Sequence, residues 1–175
     1  RMAWVRNDIG KWKVYVQDIQ TGKRQKVFKK GVRNPQQTTD YNYPLLAWNP
    51  DNERLAILYE RRDVARMALM TPGSKRGKED NILSPEYQRV YSMDFVNPAD
   101  IVFSAEVKGF SDLFQYNITN RQTQRLTNDF WDDLDASVVR LEGKRGVLFA
   151  SNRLNDTLQT GQQRIDSLLP LGSFD

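Results

Sequence analysis

The sequence predicts an all-β protein assembled from small, repeated antiparallel sheets, and three observations lead to that reading. First, Met2 to Phe28 lays over Ile101 to Thr127 without a gap, at an offset of 99 residues. This pairs Trp4 with Phe103, Gly10 with Gly109, Val14 with Leu113, Tyr15 with Phe114, Ile19 with Ile118 and Val27 with Leu126. Second, shorter matches recur at an offset of 46. Leu55 to Tyr59 falls on Ile101 to Ala105, Met67 to Leu69 on Leu113 to Gln115, and Ile101 to Ala105 on Val147 to Ser151. Third, β-branched and aromatic residues cluster in short runs bounded by turn formers instead of recurring at helical spacing. Repeats of forty-odd residues with about four short strands each are the mark of propeller blades. The expected architecture is a β-propeller with blades of about four antiparallel strands, roughly three and a half of them present in this sequence.

The elements follow in chain order. The first copy reads as an apolar strand, a polar turn around Gly10, a second strand over Trp12 to Val16, a short polar turn and a third strand edge. The second copy opens with Trp48, Asn49, Pro50, Asp51 and Asn52, where Pro50 presets φ for the first corner and Asn52 tolerates a positive φ. Its strand is Leu55 to Tyr59, and Thr71 to Asn81 reads as a long insert. The third copy supplies Ile101 to Phe103 and Leu113 to Tyr116, and the fourth begins at Val147 to Phe149. Trp48, Phe95 and Val139 are expected at equivalent inner-strand positions, packed between blades. Only Asp156 to Leu169 could be argued as helical, and Gly161 in its middle favours an insertion. The approximate units are 1–40, 41–88, 89–133 and 134–175 of a single domain expected to continue beyond both ends. A strand at once after Arg1, and a strand begun at Phe174 and Asp175, lead to the expectation of a piece of a larger protein.

Composition narrows the chemistry. The 175 residues include no Cys and no His, so this stretch supplies no thiolate, no Ser-His-Asp triad and no ordinary zinc site. No phosphate-cradling Gly-rich loop occurs, and no run approaches the roughly 18 apolar residues of a membrane-spanning helix. The expected reading is non-catalytic, without a cofactor. Mean hydropathy is -0.69 and the pI about 9.3, but 26 basic against 22 acidic residues make a mixed surface. Lys23, Arg24, Lys26, Lys29, Lys30 and Arg33 form a basic run read as an interblade loop, and Arg61, Arg62 and Arg66 a second patch on a turn and strand edge. With no aromatic platform beside them, nucleic acid is not expected. Lys29, Lys30, Arg33, Arg61, Arg62 and Arg66 are instead candidate contacts for a protein partner. Asp129, Asp132, Asp133 and Asp135 could gather a Ca²⁺, but capping of the interblade turn is the preferred role. Trp12, Trp131 and Tyr43 could stack on sugar rings, though core and turn packing is the commoner use. Sequons stand at Asn117 and Asn155, and Asp156-Thr157-Leu158 and Asp166-Ser167-Leu168 resemble a bacterial O-glycosylation acceptor.

The stretch with Phe103, Ser104, Gly109, Ser111, Asp112, Leu113 and Phe114, ending in Arg125, Leu126, Thr127, Asn128 and Asp129, resembles TolB-type propeller repeats. Asp132, Asp133 and Asp135 before a strand, Glu142-Gly143-Lys144 in place of a Pro-Asp-Gly-Lys turn, and Phe149 to Arg153 extend the match. Trp48 to Asn52 resembles the family's Ser-Pro-Asp-Gly turn, with Asn in place of Ser and of Gly. The resemblance implies a WD40-like, non-catalytic scaffold in the periplasm or outer-membrane-associated envelope of a Gram-negative bacterium. Other envelope proteins would dock on its loops or central channel as part of a larger complex such as a secretion or gliding machine. The chain departs from the family in its irregular repeat spacing and its inserts, the second at Asn155 to Gly172. Two rivals stand beside this reading. One is the propeller of a prolyl oligopeptidase or dipeptidyl peptidase relative, whose nucleophile elbow would lie outside this sequence, since Ser104, Ser111 and Ser151 belong to repeat strands and turns. The other is a glycan-binding propeller.

Overall fold

The computed structural model describes residues 1–8, 11–30, 44–51, 53–61, 64–74, 78–84 and 86–153. Among them the chain is all β, with thirteen strands in four antiparallel sheets and no helix. It follows that no helix among the described residues is long and apolar enough to cross a membrane, which says nothing of strands. The first sheet holds β1 (Met2–Asp8), β2 (Lys11–Gln17) and β3 (Arg24–Lys30) in sequence order. The second holds β4 (Leu45–Trp48), β5 (Leu55–Glu60), β6 (Ala65–Met70) and β7 (Lys78–Ser84), again in order. The third runs β8 (Arg89–Phe95), β9 (Asp100–Val107), β10 (Phe110–Asn117) and β11 (Gln122–Arg125), and the fourth pairs β12 (Asp133–Leu141) with β13 (Lys144–Ser151). Up-and-down sheets of this size are propeller blades.

The 99-residue repeat survives down to individual bonds. Trp4 faces Tyr15 across the β1–β2 ladder as Phe103 faces Phe114 across β9–β10. Both pairs stack, with centroids 5.6 and 5.4 Å apart and planes 20° and 18° apart. At the next turn Asp18 Oδ1 accepts from the backbone N–H groups of Gln20 and Thr21. Asn117 Oδ1 accepts in the same way from Thr119 and Asn120. The turn then closes through a left-handed residue, Gly22 at φ 69° in one copy and Arg121 at φ 60° in the other. Two-residue loops with both residues at positive φ, the primed geometry that suits the strand twist, join β9 to β10 at Lys108-Gly109 and β12 to β13 at Glu142-Gly143.

Three expectations need correction. The run from Arg24 to Lys30 is an edge strand and not a loop. Its exposed Arg24, Gln25 and Lys26 carry the polar side chains that keep an open sheet edge from pairing with other chains. The insert from Thr71 to Asn81 contains the first half of β7. In the fourth sheet the residue opposite Val147 is Val138, not Val139, whereas Ile101 faces Phe95 and Leu55 faces Trp48. The tight Glu142-Gly143 turn moves the equivalent position by one residue.

The chain divides into two compact units, residues 1–61 with 66–81, and residues 62–65 with 82–175. In the first unit the core lies between the first two sheets. Trp12, Val14, Val16 and Phe28 pack on Leu55, Ile57, Tyr59 and Ala68, with Ala3, Val5, Leu46 and Trp48 at the margin. Trp12 stacks on Phe28 at 5.7 Å, and Tyr59 meets both rings edge-on or tilted at 5.9 and 5.0 Å. Each such burial contributes about 1.5–3 kcal/mol. In the second unit Val102 and Leu113 of the third sheet pack on Ala136, Val138, Val147 and Phe149 of the fourth. Asp94 Oδ2 accepts from the Val138 N–H at 2.8 Å, tying β8 to β12, and Arg145 donates to the Val96 carbonyl.

Candidate functional site

Among the described residues, a dense group of ionisable side chains lies in the second unit, where β10, the 126–132 segment and the end of β13 converge. Strand alternation puts Asp112 on the same face of β10 as Phe114, and Phe114 faces Arg125 across the β10–β11 ladder. The Arg125 guanidinium therefore lies 5.6 Å above the Phe114 ring, bonded to Asp112 and, through Nε, to the Thr127 carbonyl at 3.1 Å. Thr127 Oγ1 accepts from the Leu113 N–H at 2.9 Å and donates to Asp112 Oδ1 at 3.4 Å. The Asp112 side chain is wholly buried, so each of these bonds compensates for water it has lost.

Arg153 completes the seam. Its fork grips both carboxylate oxygens of Asp133, one through Nη2 at 2.9 Å, and reaches Asp129 Oδ2 at 2.6 Å and Ser151 Oγ at 2.8 Å. Its guanidinium lies 5.7 Å over Phe149. Burial works against the charged form of Arg153, but the bonds to Asp133 and Asp129 outweigh it and hold the guanidinium above its ordinary pKa. Next to it, Asp132 Oδ1 accepts from the Ser111 N–H at 2.9 Å, while Asn152 Oδ1 accepts from the Asp132 N–H at 2.8 Å.

Of the four aspartates expected around a Ca²⁺, the fold brings only Asp129 and Asp133 together. Asp112 joins them, and one carboxylate oxygen from each of the three lies within 4.8 Å of the others. A divalent ion here would take hard oxygen ligands of the right type, but it would compete with two guanidinium groups already bonded to those oxygens. Asp132 is turned to a backbone N–H, and Asp135 is exposed at φ 54° in a bulge of β12. Asp112, Arg125 and Arg153 take part without having been singled out as site residues, because their contacts span 13 to 24 residues and have no periodicity to betray them.

The described basic residues differ in their surroundings. Lys29 is exposed on β3, whereas Lys30 Nζ lies 5.8 Å from the Phe28 centroid and 5.6 Å from that of Tyr59, its charge set over aromatic faces. Arg61 is exposed at a bend and Arg66 is half-buried on β6. Arg33 and Arg62 lie outside the described residues, as do Tyr43, Asn52, Asn155 and the 156–169 segment. Trp12 is 3% exposed and belongs to the core, so it offers no platform for a sugar, while Trp131 is half-buried. The Asn117 amide of the first sequon donates to Asp100 Oδ1 at 2.8 Å. A cleft of about 430 Å³ is lined by Tyr87, Phe114, Arg121, Glu86 and the β11 residues Thr123 and Arg125. Burial raises the pKa of the Tyr87 hydroxyl, against the opposing bond to Thr123.

The chain superposes on TolB from Acinetobacter baumannii over 89% of its length with a TM-score of 0.59 and 14% identity. The fold is that of the TolB propeller. A putative TolB from Agrobacterium tumefaciens is also similar, at 16% identity over 81% of this chain with a TM-score of 0.49. The chain spans 39% of the first TolB and 50% of the second. No protein-family model and no curated protein matches the sequence.

Proposed function

We propose that this TolB-like propeller segment is a non-catalytic scaffold of a Gram-negative cell envelope, in or beside the periplasm, where other envelope proteins dock on its loops or central channel. The superposition on a TolB propeller over 89% of the chain carries the reading. The chemistry of the site supports it. The buried carboxylates of Asp112 and Asp133 are consumed by Arg125 and Arg153 within the fold, and a sequence without His or Cys supplies no imidazole or thiolate to work beside them. Membership of a secretion or gliding machine is the finer form of the same proposal.

The test is fractionation of the tagged native protein in its host, followed by photo-crosslinking from loop positions and identification of the adducts. Recovery in the periplasmic or outer-membrane fraction, with reproducible adducts to envelope proteins, is the expected result. A purely cytoplasmic distribution would overturn the envelope role. Labelling of the native polypeptide by a fluorophosphonate, with peptide hydrolysis lost on labelling, would move it to the serine peptidases.

A further inference from the structure

We infer that the cleft beside β11 receives an extended acidic segment of a partner protein, laid along that strand with one carboxylate at Arg121 and another at Arg125. This rests on the scaffold reading only in taking the ligand from a protein, and it needs neither the envelope nor the channel. Arg121 is the first reason. It follows Gly22 by the 99 residues of the repeat and holds the same left-handed turn position, at φ 60° against 69°. Gly adopts that backbone freely, whereas a side chain there costs stability, and strained positions of this kind collect at functional sites. Within the fold the Arg121 side chain does nothing to offset the cost. Its backbone N–H donates to the Asn117 carbonyl at 2.9 Å, but its guanidinium has no partner among the described residues. The side chain is exposed and lines the cleft.

Arg125 is the second reason. Its Nε and Nη2 are committed to Thr127 and Asp112, which fix the guanidinium over Phe114. Nη1 is left without a hydrogen-bond partner, and the side chain is 30% exposed. Between the two arginines Thr123 bonds the Tyr87 hydroxyl. The Tyr87 ring, set edge-on to Phe114 at 5.1 Å and to Phe103 at 5.4 Å, supplies apolar lining together with Val107. Against these donors the lining sets a single carboxylate, Glu86, so the ligand that complements it is anionic. A volume of about 430 Å³ takes a short segment and not a domain. Among the described residues β11 ends its sheet, and its edge offers main-chain N–H and C=O groups to a peptide alongside it. Where β3 guards its own edge with Arg24 and Lys26, Gln122 to Gln124 carry no charge. Arg121 and Arg125 are four residues apart, about 13 Å on extended backbone, and so are the first and fifth residues of an extended peptide. Two cations at that spacing suit such a peptide better than one small anion.

Fluorescence anisotropy of the native full-length protein with fluorescein-labelled, end-capped Glu-Ser-Val-Ser-Glu tests the site. Saturable binding is expected. The permuted peptide Ser-Glu-Glu-Val-Ser, of the same composition and charge, should bind about fivefold more weakly, and Arg121→Gln should weaken the first peptide by a similar factor. Should Arg121→Gln disturb the turn, Arg121→Gly removes the same guanidinium and suits the positive φ. No binding, equal affinity for the two peptides, or binding indifferent to both substitutions would overturn the proposal. So would displacement of the peptide by an equal concentration of inorganic phosphate, which means a small-anion site. None of these outcomes bears on crosslinks to envelope proteins from other loop positions, so the scaffold reading stands or falls separately.

Discussion

Replacing Arg153 by Met tests how much of the second unit depends on the seam. The substitution keeps most of the apolar stem but removes the bonds to Asp129, Asp133 and Ser151 and the charge over Phe149. Left behind are an Asp133 side chain with no exposure and an Asp129 side chain with 13%. Breaking a buried pair from one side costs about 3–5 kcal/mol, because the surviving charge is uncompensated. With a urea m-value of about 2 kcal/mol/M, the midpoint should fall by about 1.5–2.5 M. Adding Asp133→Asn to Arg153→Met should recover part of the loss, since a neutral amide needs no counter-charge, although Asp133→Asn alone destabilises. Urea unfolding of the four proteins, followed by tryptophan fluorescence, gives the coupling directly. A midpoint shift below about 0.5 M, or additive single effects, would refute the claim that Arg153 holds these carboxylates in place.

Three further outcomes follow from features already described. Gly22→Ala should lose about 1 kcal/mol and Arg121→Gly gain a similar amount, because both positions hold positive φ and only Gly adopts it without cost; no atom outside the adjacent residues lies within 4 Å of a Cβ at Gly22, so equal stabilities by thermal melting would contradict the backbone argument. Tyr59→Ala should cost about 3–5 kcal/mol and Trp131→Ala much less, and a reversed order in denaturant unfolding would place the core wrongly. The Asp100 carboxyl is held below its usual value of 3.8, first by the Asn97 amide and then by Asn117, against desolvation. Its folded pKa is the lower one, so its contribution is complete above about pH 4–5 and fades as pH falls through the folded value; Asp100→Asn should therefore flatten the acid limb of stability against pH, and an unchanged limb would show the network to be idle.

What the sequence made legible was whatever repeats. The offset of 99 residues located the stacked pairs Trp4–Tyr15 and Phe103–Phe114, because cross-strand partners recur wherever the strands do. It also carried the turn chemistry: Asp18 and Asn117 differ as residues, yet each accepts two backbone N–H groups with the same geometry. The opening turns of the second and third sheets share another such device, with Asn49 accepting from Asp51, and Asn97 from Ala99 and Asp100. The ion pairs were not legible. Arg153 meets Asp129 and Asp133 across 24 and 20 residues, and a run of aspartates in sequence does not tell which will face one another. The basic run of β3 was read as a loop on its charges, although the repeat that pairs Val27 with Leu126 already called for a third strand edge there. The slip from Val138 to Val139 arose where a two-residue turn replaced the longer connections before β5 and β9.

The seam also sets an order on synthesis. Asp112 meets its guanidinium partner, Arg125, 13 residues later, whereas Asp133 leaves the ribosome 20 residues before Arg153. At about 5–20 residues per second, Asp133 waits roughly 1–4 s for that partner. During the interval Asp129 and Asp133 are synthesised but Arg153, which bonds both, is not. A chain halted just short of Arg153 therefore has every carboxylate of the motif and only one of its two guanidinium groups.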